Sequence, residues 1–520
     1  MTGASSHPEL KVTDKLIIKK KNEVFFQVFC DPSVGKELSD FFTFYVPGYK
    51  FMPAYRNKMW DGKIRLYNQL TKELYIGLLP YIKEFAEVRD VEIEYENDDR
   101  YGMPDVKQAT SEEFLAEFIQ KLNLHSKDKR IEPRDYQFTA IQHAVENNRA
   151  LLLSPTASGK SLIIYILTRL FLDSDPNQKA LIVVPTTSLV EQMSSDFLDY
   201  SSYDDSFGVD DIHKIYSGKE KITESKVIIT TWQSIYKLPS TWFEQFGFVV
   251  GDEAHTFKAK SLTSILEKLR DCKYRYGLTG TLDGTQTHRL VLEGLFGQVF
   301  KVTTTRDLID SKALSDLHVT VLLLKYSEEV RKSINKSKYN EEIDFIVTHA
   351  VRNRFIRNLA LSQEGNTLVL FQFVEKHGVP LYDSIKSKLE SISRNQRKVF
   401  FVSGSTDVET REGIRAITEK ESDAIIVASS GTFSTGINIR NLHNIIFSSP
   451  SKSQIKILQS IGRGLRKSDD GRGTKVFDLA DDLHWKSRKN YTLEHAAERI
   501  KIYTKEKFDY KIIEVEINDE

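Results

Sequence analysis

Three runs of residues have the types and order for phosphate chemistry: Ser154-Pro155-Thr156-Ala157-Ser158-Gly159-Lys160-Ser161, Asp252-Glu253-Ala254-His255 and Gln459-Ser460-Ile461-Gly462-Arg463-Gly464-Leu465-Arg466. In the first, the backbone N–H groups of a loop at a helix start favour an anion. Pro155, Thr156, Ala157, Ser158 and Gly159 form the cradle. Lys160 adds a point charge for the β- and γ-phosphates, and the Ser161 hydroxyl can ligate Mg²⁺. In the second run Asp252 can hold Mg²⁺ through water, while Glu253 can orient and deprotonate the attacking water. Adjacent like charges at a strand end repel, which argues against a purely structural use. His255 either couples the nucleotide to neighbouring loops or packs. The third run supplies arginines without a phosphate loop of its own. The layout predicts ATP and Mg²⁺ held between two domains, so that hydrolysis moves one against the other.

The elements that must position these runs are readable from apolar patterning. Ala150–Leu153 reads as a strand entering the phosphate loop, followed by a helix through Leu162, Ile163, Ile166, Leu167 and Leu170. Strand, loop and helix are the context a phosphate loop requires. From about Ile131 to Phe300 further short apolar runs (Ala180–Val184, Val227–Thr230, Phe248–Gly251, Tyr276–Thr279) alternate with helices, as in a parallel sheet covered on both faces. The pattern restarts after about Asp316 with Thr367–Phe371, Val399–Val402, Ala424–Ala428, Asn444–Phe447 and Val476–Leu479. The fold class is therefore α/β: two tandem parallel-sheet domains preceded by a small α+β N-terminal domain. Expected boundaries are 1–100 for that nucleic-acid-binding domain, 101–305 and 306–480 for the two sheets, and 481–520 for a helical extension with an acidic tail.

A chain of 520 residues is too long for one core. Its formal net charge is zero, so a nucleic-acid surface must be a local patch. Cys30 and Cys272 lack metal-ligand spacing and read as free thiols of a reducing compartment. No signal peptide or membrane span is read. A cytoplasmic protein, monomeric and without a membrane partner, is expected.

In order and spacing the runs resemble the superfamily 2 helicases, of the DEAH-box type, over most of residues 130–470. Arg134-Asp135-Tyr136-Gln137 looks like the adenine-reading Q motif, with Gln137 on the base edge. Pro185-Thr186-Thr187-Ser188-Leu189 resembles motif Ia and Thr230-Thr231-Trp232-Gln233-Ser234 motif Ic, loops suited to phosphate contacts. Leu278-Thr279-Gly280-Thr281 resembles motif III, Ser434-Thr435-Gly436-Ile437-Asn438 motif V, and Gln459, Gly462, Arg463 and Arg466 motif VI. The resemblance implies RecA-like domains, with Arg463 and Arg466 acting as arginine fingers at the γ-phosphate. Two departures stand out: Ser154 replaces the first glycine of the phosphate loop, and Asn438 replaces the usual acid of motif V. Within the superfamily the chain resembles the UvsW-like recombination and repair helicases of T4-like phages, through runs that include Arg130–Pro133, Gln245–Gly247, Gly277–Gly280 and Gln459–Arg466. Activity on branched, duplex and single-stranded DNA, with branch migration and fork regression, is what this implies.

Residues 49–67 mix five basic residues and five aromatics with one acid. Lys58, Trp60, Lys63 and Arg65 are candidate DNA contacts, because cations neutralise phosphates and aromatics stack on bases or wedge a fork. Asp61-Gly62 suggests a hairpin turn with Trp60 and Lys63 near its tip. A small aromatic core with solvated lysines is the other reading of this segment. Other functions remain open too: a double-stranded DNA translocase of a restriction system, an RNA–DNA hybrid or RNA helicase, and a DNA-annealing protein with a vestigial ATP site.

Overall fold

The computed structural model describes residues 15–96, 100, 102–282, 285–392, 397–436, 441–450, 453–465 and 471–517. They fall into two compact units, Met1–Leu153 with Ser161–Val302, and Ser154–Lys160 with Thr303–Glu520.

The first unit carries a seven-stranded sheet in which all neighbours are parallel. Its spatial order is Ile212–Ile215, Val227–Thr231, Lys179–Val184, Phe246–Asp252, Tyr274–Thr279, Arg149–Leu153 and Val299–Lys301. The central strands are continuous Val/Ile/Leu runs because helices cover both faces, and nearly every residue in them is buried. Register aligns the carboxyl ends that matter: Leu153 pairs with Thr279, Leu278 with Asp252, and Val184 with Thr231. Ligands of open α/β sheets bind at this edge.

A four-stranded sheet (Glu73–Tyr75, Phe25–Phe29, Lys15–Lys20, Glu92–Tyr95) forms the N-terminal part of the same unit. It is bound to the motor sheet by polar contacts as well as by apolar packing. Arg149 donates to the Gly102 carbonyl (2.7 Å) and to the Glu23 carboxylate (3.3 Å). Arg275, buried within the motor part, donates to the carbonyls of Leu266, Leu269 and Leu295 there, at 2.8, 2.9 and 3.0 Å. Burial, then the nearby Arg275 charge, pushes the Arg149 guanidinium down to about 10. Tyr75 donates to Glu267 (2.6 Å). Gly77 lies so near the Glu293 carbonyl that a Cβ there would sit 1.8 Å from it.

The second unit repeats the parallel plan in the order Val399–Val402, Ile425–Ser429, Thr367–Phe371, Asn444–Phe447, Thr474–Asp482, Leu317–Tyr326 and Asp509–Ile517. Arg352 and Asp481, both fully buried, are joined at 2.7 Å below the carboxyl edge. The segment after 480 corrects the expected helical extension. One helix, Tyr491–Lys505, is followed by the strand Asp509–Ile517, which completes the sheet beside Leu317–Tyr326. Its charged and largely exposed residues do not resemble the buried strands, so the apolar criterion passes over it.

Cys30 and Cys272 are both free thiols. Among the described residues no helix is long and apolar enough to cross a membrane.

Candidate nucleotide site and nucleic-acid groove

The strand Arg149–Leu153 feeds the loop at Ser154, and the helix Lys160–Ser174 starts at the lysine. The departure at Ser154 has a structural use. Its hydroxyl lies 2.6 Å from that of Ser158, which also reaches the Pro155 carbonyl at 2.7 Å. Both serines are almost fully buried, so side chains close the base of the loop where the usual glycine would leave space. Ala157 and Gly159 take positive φ values of 65° and 80°, which turn the loop back toward the helix. The Ser161 hydroxyl lies 2.9 Å from Tyr200 Oη.

Asp252 ends the strand two places from the loop strand in the sheet, roughly 10 Å away by two inter-strand spacings. Its carboxylate is largely buried. Among the described residues no group of three or more His, Cys, Asp or Glu could hold a metal alone. A hydroxyl and a carboxylate at one sheet edge instead fit Mg²⁺, which keeps waters and is carried in with phosphates. Glu253 sits in the left-handed region at φ 51°. His255 Nδ1 lies 2.9 Å from Thr279 Oγ1 and 3.4 Å from Glu253 Oε2. Thr279 Oγ1 in turn donates to the Thr281 carbonyl at 3.0 Å. These contacts join the acidic run to the end of the next strand.

Gln137 has a local use that pattern reading misses. Its Oε1 accepts from Arg134 N–H at 2.8 Å, tying down the start of the helix Asp135–Asn147.

Within the second unit, Gln459, Gly462 and Arg463 lie on the helix Gln454–Gly464. The phosphate loop belongs to this unit, and Thr156 is packed against the helix: a Cβ on Gly462 would come within 2.7 Å of Thr156 Cβ. Thr435 lies in the helix Ser430–Gly436. Asn438 and Arg466 lie outside the described residues.

At the carboxyl edge of the first sheet the motif Ia and Ic loops share an open groove of 890 Å³, lined by Pro185, Thr186, Thr187, Thr231, Gln233 and Ser234. Thr186 caps the helix Thr187–Tyr200. The opposite wall, Tyr216 to Lys221, brings in Lys219 and Lys221, two exposed cations absent from the sequence expectation. The Ser217-Gly218-Lys219 turn was the available signal. Trp232 does not line this groove. It stacks edge-on with Tyr236 at 5.6 Å and packs against the apolar cluster of Ile235, Leu262 and Ile265.

The N-terminal segment corrects the expected turn. Asp61-Gly62 does not join two adjacent strands; the ribbon is Thr43–Tyr45 with Lys63–Arg65, and residues 46–62 form the excursion between them. Trp60 Nε1 donates to the Lys63 carbonyl at 2.8 Å. The Lys63 ammonium lies over the Tyr45 ring, and Arg65 pairs with Asp61 at 2.5 Å. Lys58 is exposed.

Two parallel sheets in tandem, the acidic run at the edge of the first, and a phosphate loop that follows the strand Arg149–Leu153 and packs in the second unit against the Gln459–Arg463 helix define a superfamily 2 helicase motor. Residues 130–284 match the family described as type III restriction enzyme, res subunit, and residues 350–468 the helicase conserved C-terminal domain. Residues 17–96 match the family described as DNA helicase UvsW, N-terminal. The ATP-dependent DNA helicase uvsW of Enterobacteria phage T4 is 36% identical over 507 residues, covering 92% of this chain and 95% of that protein. The crystal structure of T4 UvsW superposes with a TM-score of 0.51 at 34% identity, covering 97% of this chain and all of that one. A fragment of an HsdR subunit of a type I restriction enzyme from Vibrio vulnificus, at 17% identity and TM-score 0.57 over 79% of this chain and 72% of its own, shares the fold. The chain belongs to the UvsW family of ATP-dependent DNA helicases.

Proposed function

We propose that this helicase remodels branched DNA, driving branch migration and fork regression in recombination and repair. The observation that carries the reading is the hydroxyl-and-lysine groove at the sheet edge that also ends in Asp252. Hydroxyls, backbone donors and point-charge cations suit a phosphate backbone and carry little base information, as a motor tracking arbitrary sequence requires.

In this reading Lys160 and the loop amides hold the β- and γ-phosphates, and Gln137 contributes to nucleotide binding. Ser161 and Asp252 hold Mg²⁺, which supplies Lewis-acid neutralisation of the phosphate oxygens. Glu253 orients water and takes its proton. Gln459, Arg463 and Arg466 stabilise charge in the transition state. Thr186, Thr187, Thr231, Gln233 and Thr435 contact the DNA backbone. The His255–Thr279 hydrogen bond relays the state of the acidic run to the loop at Thr281, and from there to the groove.

The test compares ATP hydrolysis and strand rearrangement on single strands, uniform duplex, forks, four-way junctions and RNA–DNA hybrids. Faster hydrolysis and product formation on forks and junctions is expected. Equal stimulation by unbranched duplex, with no rearrangement of any branch, would contradict the reading.

A further inference from the structure

The excursion 46–62 is an ordered platform. Tyr45 stacks on Tyr49 at 4.6 Å, Tyr55 meets Tyr49 edge-on at 4.7 Å, and Gly62, at φ 81°, lies directly against the Tyr49 ring. A Cβ on Gly62 would fall 2.3 Å from that ring. At its base, Ile64 and Leu66 pack against the apolar cluster under the motor sheet of the same unit. The platform is therefore fixed to the motor sheet.

Yet this platform leaves apolar side chains in water: Met59 is 81% exposed and Phe51 77%. Met59, Trp60 and Tyr55 line one open groove of 640 Å³, and Lys50, Arg56 and Lys58 line it with them. Among the described residues none of these three cations pairs with a carboxylate, and the groove's acid, Asp61, is taken by Arg65. Polarizable apolar side chains beside cations that pair with no carboxylate among the described residues match a ligand with an apolar face and an attached anion. A nucleotide lifted out of its stack has that chemistry. A closed duplex does not, because its base faces are covered.

We propose that this groove captures an unpaired nucleotide at the branch point of DNA, with the base against Met59, Trp60 and Tyr55 and its phosphate near Lys50, Arg56 and Lys58. The inference rests on the branch-remodelling reading and names how the branch is engaged. Trp60 serves as a wall, held by the Lys63 carbonyl, and Met59 is the free contact. Lys63 and Arg65, engaged with Tyr45 and Asp61, lie outside the groove.

The test uses the full chain with Lys50→Ala and Met59→Ala, singly and together; both residues are exposed, so folding is not at stake. A fork carries 2-aminopurine at the branch-point nucleotide. With the parent the probe's fluorescence changes on binding, as its base leaves the duplex stack. In the double variant that change is lost, fork affinity and regression fall about tenfold, and ATP hydrolysis on uniform duplex stays at the parent rate. Lys50→Ala alone lowers the slope of log affinity against log salt by roughly 0.8. Parent-like fluorescence, affinity and regression in the double variant would overturn the inference and leave the groove to a protein partner. A parent that rearranges forks without any probe response would also overturn it, with the wider reading intact. A parent that rearranges no branched DNA would remove the wider reading itself.

Discussion

Thr279→Val keeps the side-chain shape and deletes one fully buried hydroxyl. That oxygen has a single proton, and the Thr281 carbonyl accepts it at 3.0 Å. The 2.9 Å contact with His255 must then be a donation from Nδ1–H, which fixes the histidine tautomer. The variant loses these two hydrogen bonds, along with the weaker one that the same oxygen accepts from Thr281 N–H at 3.5 Å. At about 1 kcal/mol for each of the two, stability falls by ~2 kcal/mol, or a melting temperature lower by roughly 4–8 °C. His255 retains Glu253 Oε2 at 3.4 Å as its neighbour, so the acidic run keeps its histidine but loses its link to the loop at Thr281. Losing about 1.4 kcal/mol of coupling is a tenfold effect. ATP hydrolysis within about threefold of the parent is therefore expected, with base pairs separated per ATP reduced about tenfold. Phosphate release and fork unwinding, recorded on the same samples with a melting curve, provide the assay. A parent-like yield per ATP at a lowered melting temperature would refute the relay and leave the hydroxyl a structural role.

Gly462→Ala should disturb the phosphate loop, because the new methyl falls 2.7 Å from Thr156 Cβ; an overpacking cost of about 1–3 kcal/mol predicts at least a several-fold loss of kcat/KM for ATP, and unchanged kinetics would contradict that packing. Arg463→Ala should lower kcat far more than nucleotide affinity, as expected of a group whose interaction forms in the transition state; equal loss in a fluorescent-nucleotide titration would assign it to binding. Lys219→Ala with Lys221→Ala should weaken DNA binding and lower its salt slope by roughly 1.5; an unchanged slope would move the DNA off this groove. Burial, then the Arg352 charge, pushes His377 down to about 3. The unfolded chain therefore takes up a proton near pH 6.5 that the folded chain refuses, so stability is lost as pH falls below that value. Urea titrations should show ~2 kcal/mol less stability at pH 5 than at pH 7 from this group, and His377→Gln should flatten that part of the profile.

Much of the motor was legible because parallel strands covered on both faces must be apolar throughout. Phe248–Gly251 and Thr367–Phe371 could be little else, and both lie in the observed strands. Order along the chain then put Asp252 and Leu153 at one sheet edge. The strand Asp509–Ile517 was illegible for the opposite reason: it is exposed, charged and paired with a strand distant in sequence. Gln137 shows a different gap, since a side chain that resembles a base reader also closes a helix start through a local hydrogen bond. The ribbon at 43–65 misled because Asp-Gly is a turn signal whichever turn it closes, and here it precedes the return strand of a long excursion. Lys219 and Lys221 had no periodicity to mark them; only folding brings their loop beside Thr186 and Thr231.

The central claim is that ATP hydrolysis at Lys160, Asp252 and Glu253 drives the rearrangement of branched DNA. Its most direct test is the conversion of a model replication fork to its regressed product by the full chain and by Lys160→Ala, each with Mg²⁺ and ATP and each with its fold checked by circular dichroism. The account predicts conversion by the parent, none with a non-hydrolysable nucleotide, and neither hydrolysis nor conversion by Lys160→Ala with fork binding retained. Conversion by Lys160→Ala at the parent rate would contradict it.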